Sequence, residues 1–331
     1  MFNYSKMLFF SFLILGTLLT LNSNNWMSMW MGMELNLMSF IPLISQTKNK
    51  SNSQSMMIYF LTQSIGTSIM LFSILMILMN NNMISNNIIN YMTVMSLLLK
   101  LGAAPMHMWL PEMMSNMNWL NCTILMTWQK IAPLIMLMYT NMNSSFFYII
   151  ILMSTIVGAI GAMNLSSLRK IMAYSSINHM GWIMMMMSMK MQWMKYLIIY
   201  SIMVIMQCKL FSMYNAFFIN QFINNSYSLM EKYNNIIMFL SMGGLPPFLG
   251  FLPKWMVLWG MMETNITIMM MVMIMMSMIT LFFYMRIVSS FILSYSMMNK
   301  WIYINKINNY WIMSILLMNL SLPVISVMTW F

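Results

Sequence analysis

About eleven apolar stretches, most of them close to the length that spans a bilayer as a helix, succeed one another along this chain. Their approximate ends are 3–22, 26–45, 56–79, 88–112, 119–140, 145–165, 171–189, 194–220, 235–260, 266–293 and 308–329. The separators are short and rich in Asn and Ser: NSNN at 22–25, TKNKSNSQ at 47–54, NNNMISNN at 80–87. None is long enough to hold a soluble domain. Only 6% of the residues are charged and 61% are hydrophobic, whereas a soluble domain has roughly a quarter of its residues charged. The pattern predicts an all-α polytopic membrane protein of about eleven transmembrane helices.

Two stretches carry the same punctuation inside oily sequence: GAAPMHMWLPE at Gly102–Glu112 and GLPPFLGFLPK at Gly244–Lys254. Aligned on their prolines, Pro105 falls on Pro247, Leu110 on Leu252, Pro111 on Pro253 and Glu112 on Lys254. A proline inside a membrane helix frees backbone groups that hydrocarbon cannot satisfy, so the break must be lined by protein or water. Matching breaks in two halves of a chain point to ion transport.

The charge balance is basic, with 15 Lys and Arg against 4 acidic residues and a formal net charge of +11. In a soluble chain this would suggest nucleic acid. Here the basic residues lie in short loops and inside helices, with no aromatic-laced basic stripe, and no nucleic-acid partner is expected. Threaded alternately, one side of the membrane receives Lys6, Lys48, Lys50, Arg169, Lys170, Lys232, Lys300 and Lys306. The other receives Lys190, with Lys195 just inside the next span, and Arg286 lies near the richer side. Positive loops stay inside, which puts the N-terminus on the positive side and the C-terminus on the opposite face. Tryptophans at span ends (Trp26, Trp193, Trp301, Trp330) suit interfacial belts. Cys122 and Cys208 lie in apolar runs without metal-ligand spacing and read as core residues. Methionine stands at 57 of 331 residues; with abundant Asn, Ile and Phe, this fits an AT-rich gene in which AUA means methionine, as in animal mitochondria. A nucleotide sequence with AUA read as isoleucine would remove that reading. The start of the chain has neither an Arg-rich amphipathic leader nor a small-residue cleavage site, so no processing is expected.

Several ionisable residues fall at membrane depth. Glu34 is near the middle of the second span, Lys100 lies deep in the fourth, Lys130 is central in the fifth, and Lys254 follows the second break. Each would cost roughly 2.5–3.5 kcal/mol facing lipid, so an interior, partly hydrated location is predicted. Burial disfavours the charged form of an amine and a nearby carboxylate restores it, so an amine switched between the two states takes up and releases a proton. Glu34 is the natural partner for one of the lysines, with Lys100 expected. One acid against three deep bases argues against a purely static network of ion pairs. His107, inside the first break, and His179, inside the seventh span, can also pass protons; each also suits a plain hydrogen-bonded packing role. Lys209 reads as a helix-end charge, Glu112 as an interfacial group able to gate proton access, and Glu231 and Glu263 as solvated. No phosphate-cradling or dinucleotide fingerprint is present, and a Ser-His-Asp triad lacks its Asp; the chain is expected to hold no cofactor.

The segments MGMELNLMSFIPL around Glu34, KLGAAPMHMWLPE from Lys100, WQKIAPL around Lys130, SSINHMGW around His179 and GGLPPFLGFLPKW ending in Lys254 and Trp255 together resemble the antiporter-like subunits of respiratory complex I, in their short animal mitochondrial form. The resemblance spans most of the chain in the family order. It implies two inverted repeats, approximately 1–141 and 142–293, each with one discontinuous helix, followed by a C-terminal helix at about 308–329. It implies proton pumping across the mitochondrial inner membrane, N-terminus in the matrix and C-terminus on the intermembrane-space side, driven by electron transfer from NADH to ubiquinone elsewhere in the complex. NADH, FMN, iron–sulfur clusters and ubiquinone are then expected on other subunits, and the partners are the other membrane subunits, neighbouring antiporter-like ones among them, together with lipids. Carried over by motif, Glu34 and Lys100 form a charge pair, Lys130 is the central relay, Lys254 belongs to the exit or inter-subunit end, and His107 and His179 belong to the hydrated polar axis. Longer relatives have about three more N-terminal helices; their absence here leaves one flank for other subunits to cover. Two rivals share these features in part: a cation/proton antiporter subunit, and a purely structural membrane subunit.

Overall fold

The computed structural model describes residues 4–45, 50–79, 86–140, 144–225, 229–294 and 309–321; Lys48, Lys300, Lys306, Trp301 and Trp330 lie outside the described residues. The chain divides into two compact units, Met1–Ile150 and Ile151–Phe331. Unit 1 contains α1 (Tyr4–Asn22), α2 (Trp26–Ser45), α3 (Lys50–Met79), α4 (Asn86–Leu101), α5 (Trp109–Asn116), α6 (Trp119–Met126), a 3-10 turn (Trp128–Lys130) and α7 (Ile131–Tyr139). The division falls within α8 (Ser144–Gly161), and unit 2 continues with α9 (Leu168–Ser188), α10 (Trp193–Met213), α11 (Ile219–Asn225), α12 (Leu229–Gly243), α13 (Phe251–Glu263), α14 (Thr267–Ser294) and α15 (Asn309–Asn319). Among the described residues the only β pairing is one isolated bridge, Ser167 to Phe218.

Among the described residues, five helical segments have the length and apolarity to cross a bilayer: Tyr4–Asn22, Lys50–Met79, Trp119–Tyr139, Trp193–Met213 and Thr267–Leu293. The sequence pattern suggested about eleven spans, and the difference has physical causes. The spans expected at 88–112 and 235–260 are each two helices separated by a break. Helices α2 and α9 are long enough, but Glu34 and Asn36 in one, and Arg169, Lys170, Asn178 and His179 in the other, lower their apolarity. The span at 119–140, which is among the five, is interrupted at Trp128–Lys130. Pro133 has no N–H to offer Gln129, so the helix loses a rung there and tightens into a 3-10 turn.

Both glycine-led breaks are built the same way. Gly102 (φ 67°) follows the last residue of α4 and Gly244 (φ 79°) the last residue of α12. After each glycine the next helix begins at the same remove, at Trp109 and at Phe251. At the first break Ala103 N–H donates to the Leu98 carbonyl (3.0 Å) and Gly102 N–H to that of Leu99 (3.2 Å); at the second, Leu245 N–H donates to Leu240 (3.3 Å) and Gly244 N–H to Ser241 (3.0 Å). Both are Schellman caps, whose left-handed residue is cheap only for glycine. The helices therefore stop on glycine, and the prolines that follow keep them from resuming at once.

The helices carry their polar residues inward. On α3 the buried face is Asn52, Ser55, Tyr59, Gln63, Gly66, Thr67, Met70 and Ser73, spaced by three or four as one face of a helix demands. Met57, Phe60, Leu61, Ile65 and Phe72 point out. That is the reverse of a soluble helix and suits an oily exterior, where polar groups gain only by facing other helices. The buried serine hydroxyls of α3 are satisfied locally, Ser55 donating to Asn52 (2.8 Å) and Ser73 to Met70 (2.7 Å).

Candidate functional site

In unit 1, α3, α4 and the 3-10 turn bring two lysines to one cavity. Gly66 of α3 makes room for the first, since a Cβ there would lie 3.2 Å from Lys100 Cγ. Lys100 is buried with its Nζ 3.8 Å from Met70 Sδ, and its carbonyl accepts from the Gln63 amide at 3.4 Å. Lys130 closes the 3-10 turn and is 3% exposed. Both line a cavity of about 20 Å³ together with Asn36, Tyr59, Gln63, Thr67 and Gln129. That volume admits about one water. The cavity offers it partners: both side-chain amide atoms of Asn36 and the Gln129 amide nitrogen have no protein hydrogen bond. The Tyr59 hydroxyl faces Gln129 Oε1 at 3.4 Å.

Glu34 is half-buried on α2, and its carboxylate acts electrostatically on Lys100. The helix that bears it approaches α1 closely, because a Cβ on Gly32 would stand 2.8 Å from the Gly16 carbonyl oxygen. Glu34 thus acts on Lys100, and Lys100 shares its cavity with Lys130. His107 is placed elsewhere in unit 1. It lies half-buried on the break loop with Nδ1 3.2 Å from the Pro105 carbonyl and does not line the lysine cavity.

In unit 2, His179 and Lys254 sit in separate polar settings. His179 is buried on α9, its Nδ1 2.9 Å from the Tyr196 hydroxyl and its ring 4.9 Å from that of Tyr200. Gly181 and Gly158 permit the close packing of α9 on α8, for a Cβ on Gly158 would lie 2.5 Å from the Asn178 backbone nitrogen. Lys254, 5% exposed, donates from Nζ to the Gly243 carbonyl at 2.8 Å and stands 5.9 Å above the Trp182 ring.

With this geometry in view, residues 23–280 match the family described as NADH:quinone oxidoreductase/Mrp antiporter, TM. The chain belongs to this family. It is 45% identical over 314 residues to NADH-ubiquinone oxidoreductase chain 2 of Anopheles gambiae, covering 92% of this chain and 91% of that one. To the chain of the same name in Mus musculus it is 37% identical over 292 residues, covering 84% and 83%. Its fold matches a chain of respiratory complex I from Thermus thermophilus with TM-score 0.76, 14% identity and coverage of 95% and 75%. It also matches a chain of the membrane-bound sulfane sulfur reductase, an archaeal respiratory membrane complex, with TM-score 0.81, 14% identity and coverage of 97% and 73%.

The remaining charges of this antiporter-family chain divide into outer and inner groups. Glu112, Glu263 and Lys209 are exposed, and Glu263 accepts from the Trp259 indole at 2.7 Å. Arg286 donates to the carbonyls of Met163 and Leu165, which fixes the connection between α8 and α9. Glu231 departs from its sequence expectation. The sequence predicts a solvated carboxylate, yet Glu231 is 4% exposed, beside a buried Lys232. Loop-like composition around 221–230 hid a helix start packed against α10. Sequence reasoning also passed over Tyr59, Gln63 and Gln129. Their signal was present, since polar side chains recur on one face of α3 and the Gln precedes Lys130.

Proposed function

We propose that this chain is a core membrane subunit of mitochondrial NADH:ubiquinone oxidoreductase that moves protons across the inner membrane, coupled to electron transfer carried out by other subunits. The whole-length relatives that bear the name of chain 2 support the assignment. The observation that carries the chemistry is the pair Lys100 and Lys130, both buried, lining one water-sized polar cavity with the Glu34 carboxylate acting on Lys100. In this reading Glu34 acts on the buried Lys100, Lys100 and Lys130 exchange a proton through cavity water, and Lys254 serves the exit or inter-subunit end. His179 is a relay in unit 2, and His107 serves the loop end of the first break. The chain itself holds no redox group; NADH, FMN, iron–sulfur clusters and ubiquinone belong to other subunits.

The architecture follows from the same reading. Two repeats, about 1–141 and 142–293, each contribute one broken helix, and a further helix, described over Asn309–Asn319, follows. The matching glycine caps and equal helix spacing after them support this. The N-terminus faces the matrix and the C-terminus the intermembrane space, as the loop lysines favour. Other complex I membrane subunits, neighbouring antiporter-like ones among them, and lipid cover the apolar outer faces; nucleic acid is no partner.

Moving one proton against 100 mV takes about 2.3 kcal/mol, so a relay amine cannot be replaced by an apolar group without loss of pumping. In the reconstituted complex, Lys130→Met is expected to lower proton translocation about a hundredfold while the subunit still inserts. Pumping equal to wild type would end the relay reading and favour a structural subunit. Sodium-dependent flux by the isolated chain would favour a cation/proton antiporter instead.

A further inference from the structure

Glu231 lies in the first turn of α12. Negative charge is favoured at a helix start, but that preference is met equally well by an exposed carboxylate. Here the side chain is buried and shares a hydrogen bond with the Tyr214 hydroxyl at the end of α10. Lys232 beside it is buried as well.

Tyr214 begins a polar stripe. Along the inward face of α10, Tyr214, Phe211, Gln207, Met203, Tyr200 and Tyr196 follow at spacings of three and four, and all are buried. Neither amide atom of Gln207 has a protein hydrogen bond, and the same holds for Asn234 one turn beyond Glu231 on α12; each residue is 1% exposed. A buried amide left unsatisfied costs about 1–3 kcal/mol, so such groups persist where water reaches them. The inner end of the stripe is a second small cavity of about 10 Å³ lined by His179, Tyr196, Tyr200 and Ser241.

Between the two polar ends stands an aromatic cluster. The Phe211 ring lies 5.0 Å from Phe222 and 6.0 Å from Phe239, and Phe222 lies 5.3 Å from Phe291. On the stripe, Phe211 separates Tyr214 from Gln207. Apolar constrictions of this kind close a water path by drying it.

We propose that Glu231 is the proton-loading carboxylate of a gated path through unit 2, with Phe211, Phe222 and Phe239 as the gate and His179 as the acceptor. The carboxylate takes a proton from water at the start of α12 and becomes a carboxylic acid. When the phenylalanines part, it gives that proton to water beside Asn234 and Gln207 and is a carboxylate again. The imidazole of His179 receives the proton and becomes imidazolium. This rests on the proton-pumping reading above, and it adds a residue and a gate that reading does not contain.

The test uses the intact complex in proteoliposomes and reads protons translocated per NADH oxidised. Glu231→Gln is expected to lower this yield while NADH oxidation in the presence of an uncoupler persists, and Glu231→Asp is expected to keep the wild-type yield. An unchanged yield in the Gln variant, or an equal loss in the Asp variant, would overturn the proposal, the second by showing a packing role. Phe239→Ala supplies an arm independent of Glu231: it should make energised vesicles leak protons without NADH, and leak-tight vesicles would remove the gate. If Glu231→Gln fails to assemble, that arm decides. Lys130→Met run in parallel separates the two levels. A normal yield there sinks the pumping reading itself, whereas a loss there beside a normal Glu231→Gln sinks only this inference.

Discussion

In unit 1 the carbonyls at the end of α4 are held partly by an indole, Trp109 donating to Leu99 at 3.0 Å, whereas in unit 2 the end of α12 is held by an amine, Lys254 donating to Gly243 at 2.8 Å. The two breaks share their glycine caps and their spacing. They differ in what the glycine leaves room for. A Cβ on Gly102 would strike Leu110 Cδ1 at 2.7 Å, and one on Gly244 would strike Lys254 Cδ at 2.9 Å and Nζ at 3.0 Å. The position matching Lys254 in the first break is Glu112, which is exposed. In unit 1, therefore, an apolar and aromatic pair locks the break, and Lys100 faces a cavity shared with Lys130. In unit 2 one lysine both locks the break and supplies the charge. The same backbone device thus leaves one lysine lining a cavity and ties the other to the break itself.

The sharpest way to break this contrast is to remove each lysine in turn. Lys254→Met leaves the Gly243 carbonyl without its charged donor and should cost about 1.5–3 kcal/mol of stability. Lys100→Met removes no bond that holds the first break and should leave stability equal or higher, with pumping lost. Thermal inactivation and subunit assembly, measured side by side, would report equal destabilisation if the contrast is mistaken. Next in size, Gly244→Ala should destabilise by about 1–2 kcal/mol from its left-handed backbone, with an added loss of the Lys254 position that lowers pumping. A stability loss without any change in pumping would show that Lys254 does not need its seat beside Gly244. The smallest effect belongs to Lys209→Met. This exposed lysine of α10 belongs to neither break and should shift stability by no more than about 0.5 kcal/mol, with pumping unchanged in the same vesicle assay.

Much of the fold was legible because lipid imposes local rules. Scarce charge and long apolar runs announce a membrane protein wherever they occur. The breaks at Gly102 and Gly244 could be located because Gly and Pro act on their own backbone. The sequence reading credited the prolines, however, and the hydrogen bonds show glycine caps ending both helices first. The interruption at Lys130 was written in the Pro133 that follows it, but one continuous apolar run masked it. For the site, residue types at depth told which groups were costly, and burial of Lys100, Lys130, Lys254 and His179 agrees with that cost. Glu231 was misjudged because a polar stretch before a helix looks the same in sequence whether water or α10 covers it.

The sequence by itself determined the class of the molecule, the places where its helices break and the handful of ionisable groups set at membrane depth, because hydropathy and backbone stereochemistry act over a few neighbouring residues. Only the tertiary structure decided that Lys100 and Lys130 share a cavity, that Lys254 is tied to Gly243, that His107 stands apart from the lysine cavity and that Glu231 is buried against Tyr214. Those outcomes depend on which helix faces meet side by side, and lateral packing between distant segments leaves no periodic mark along the chain.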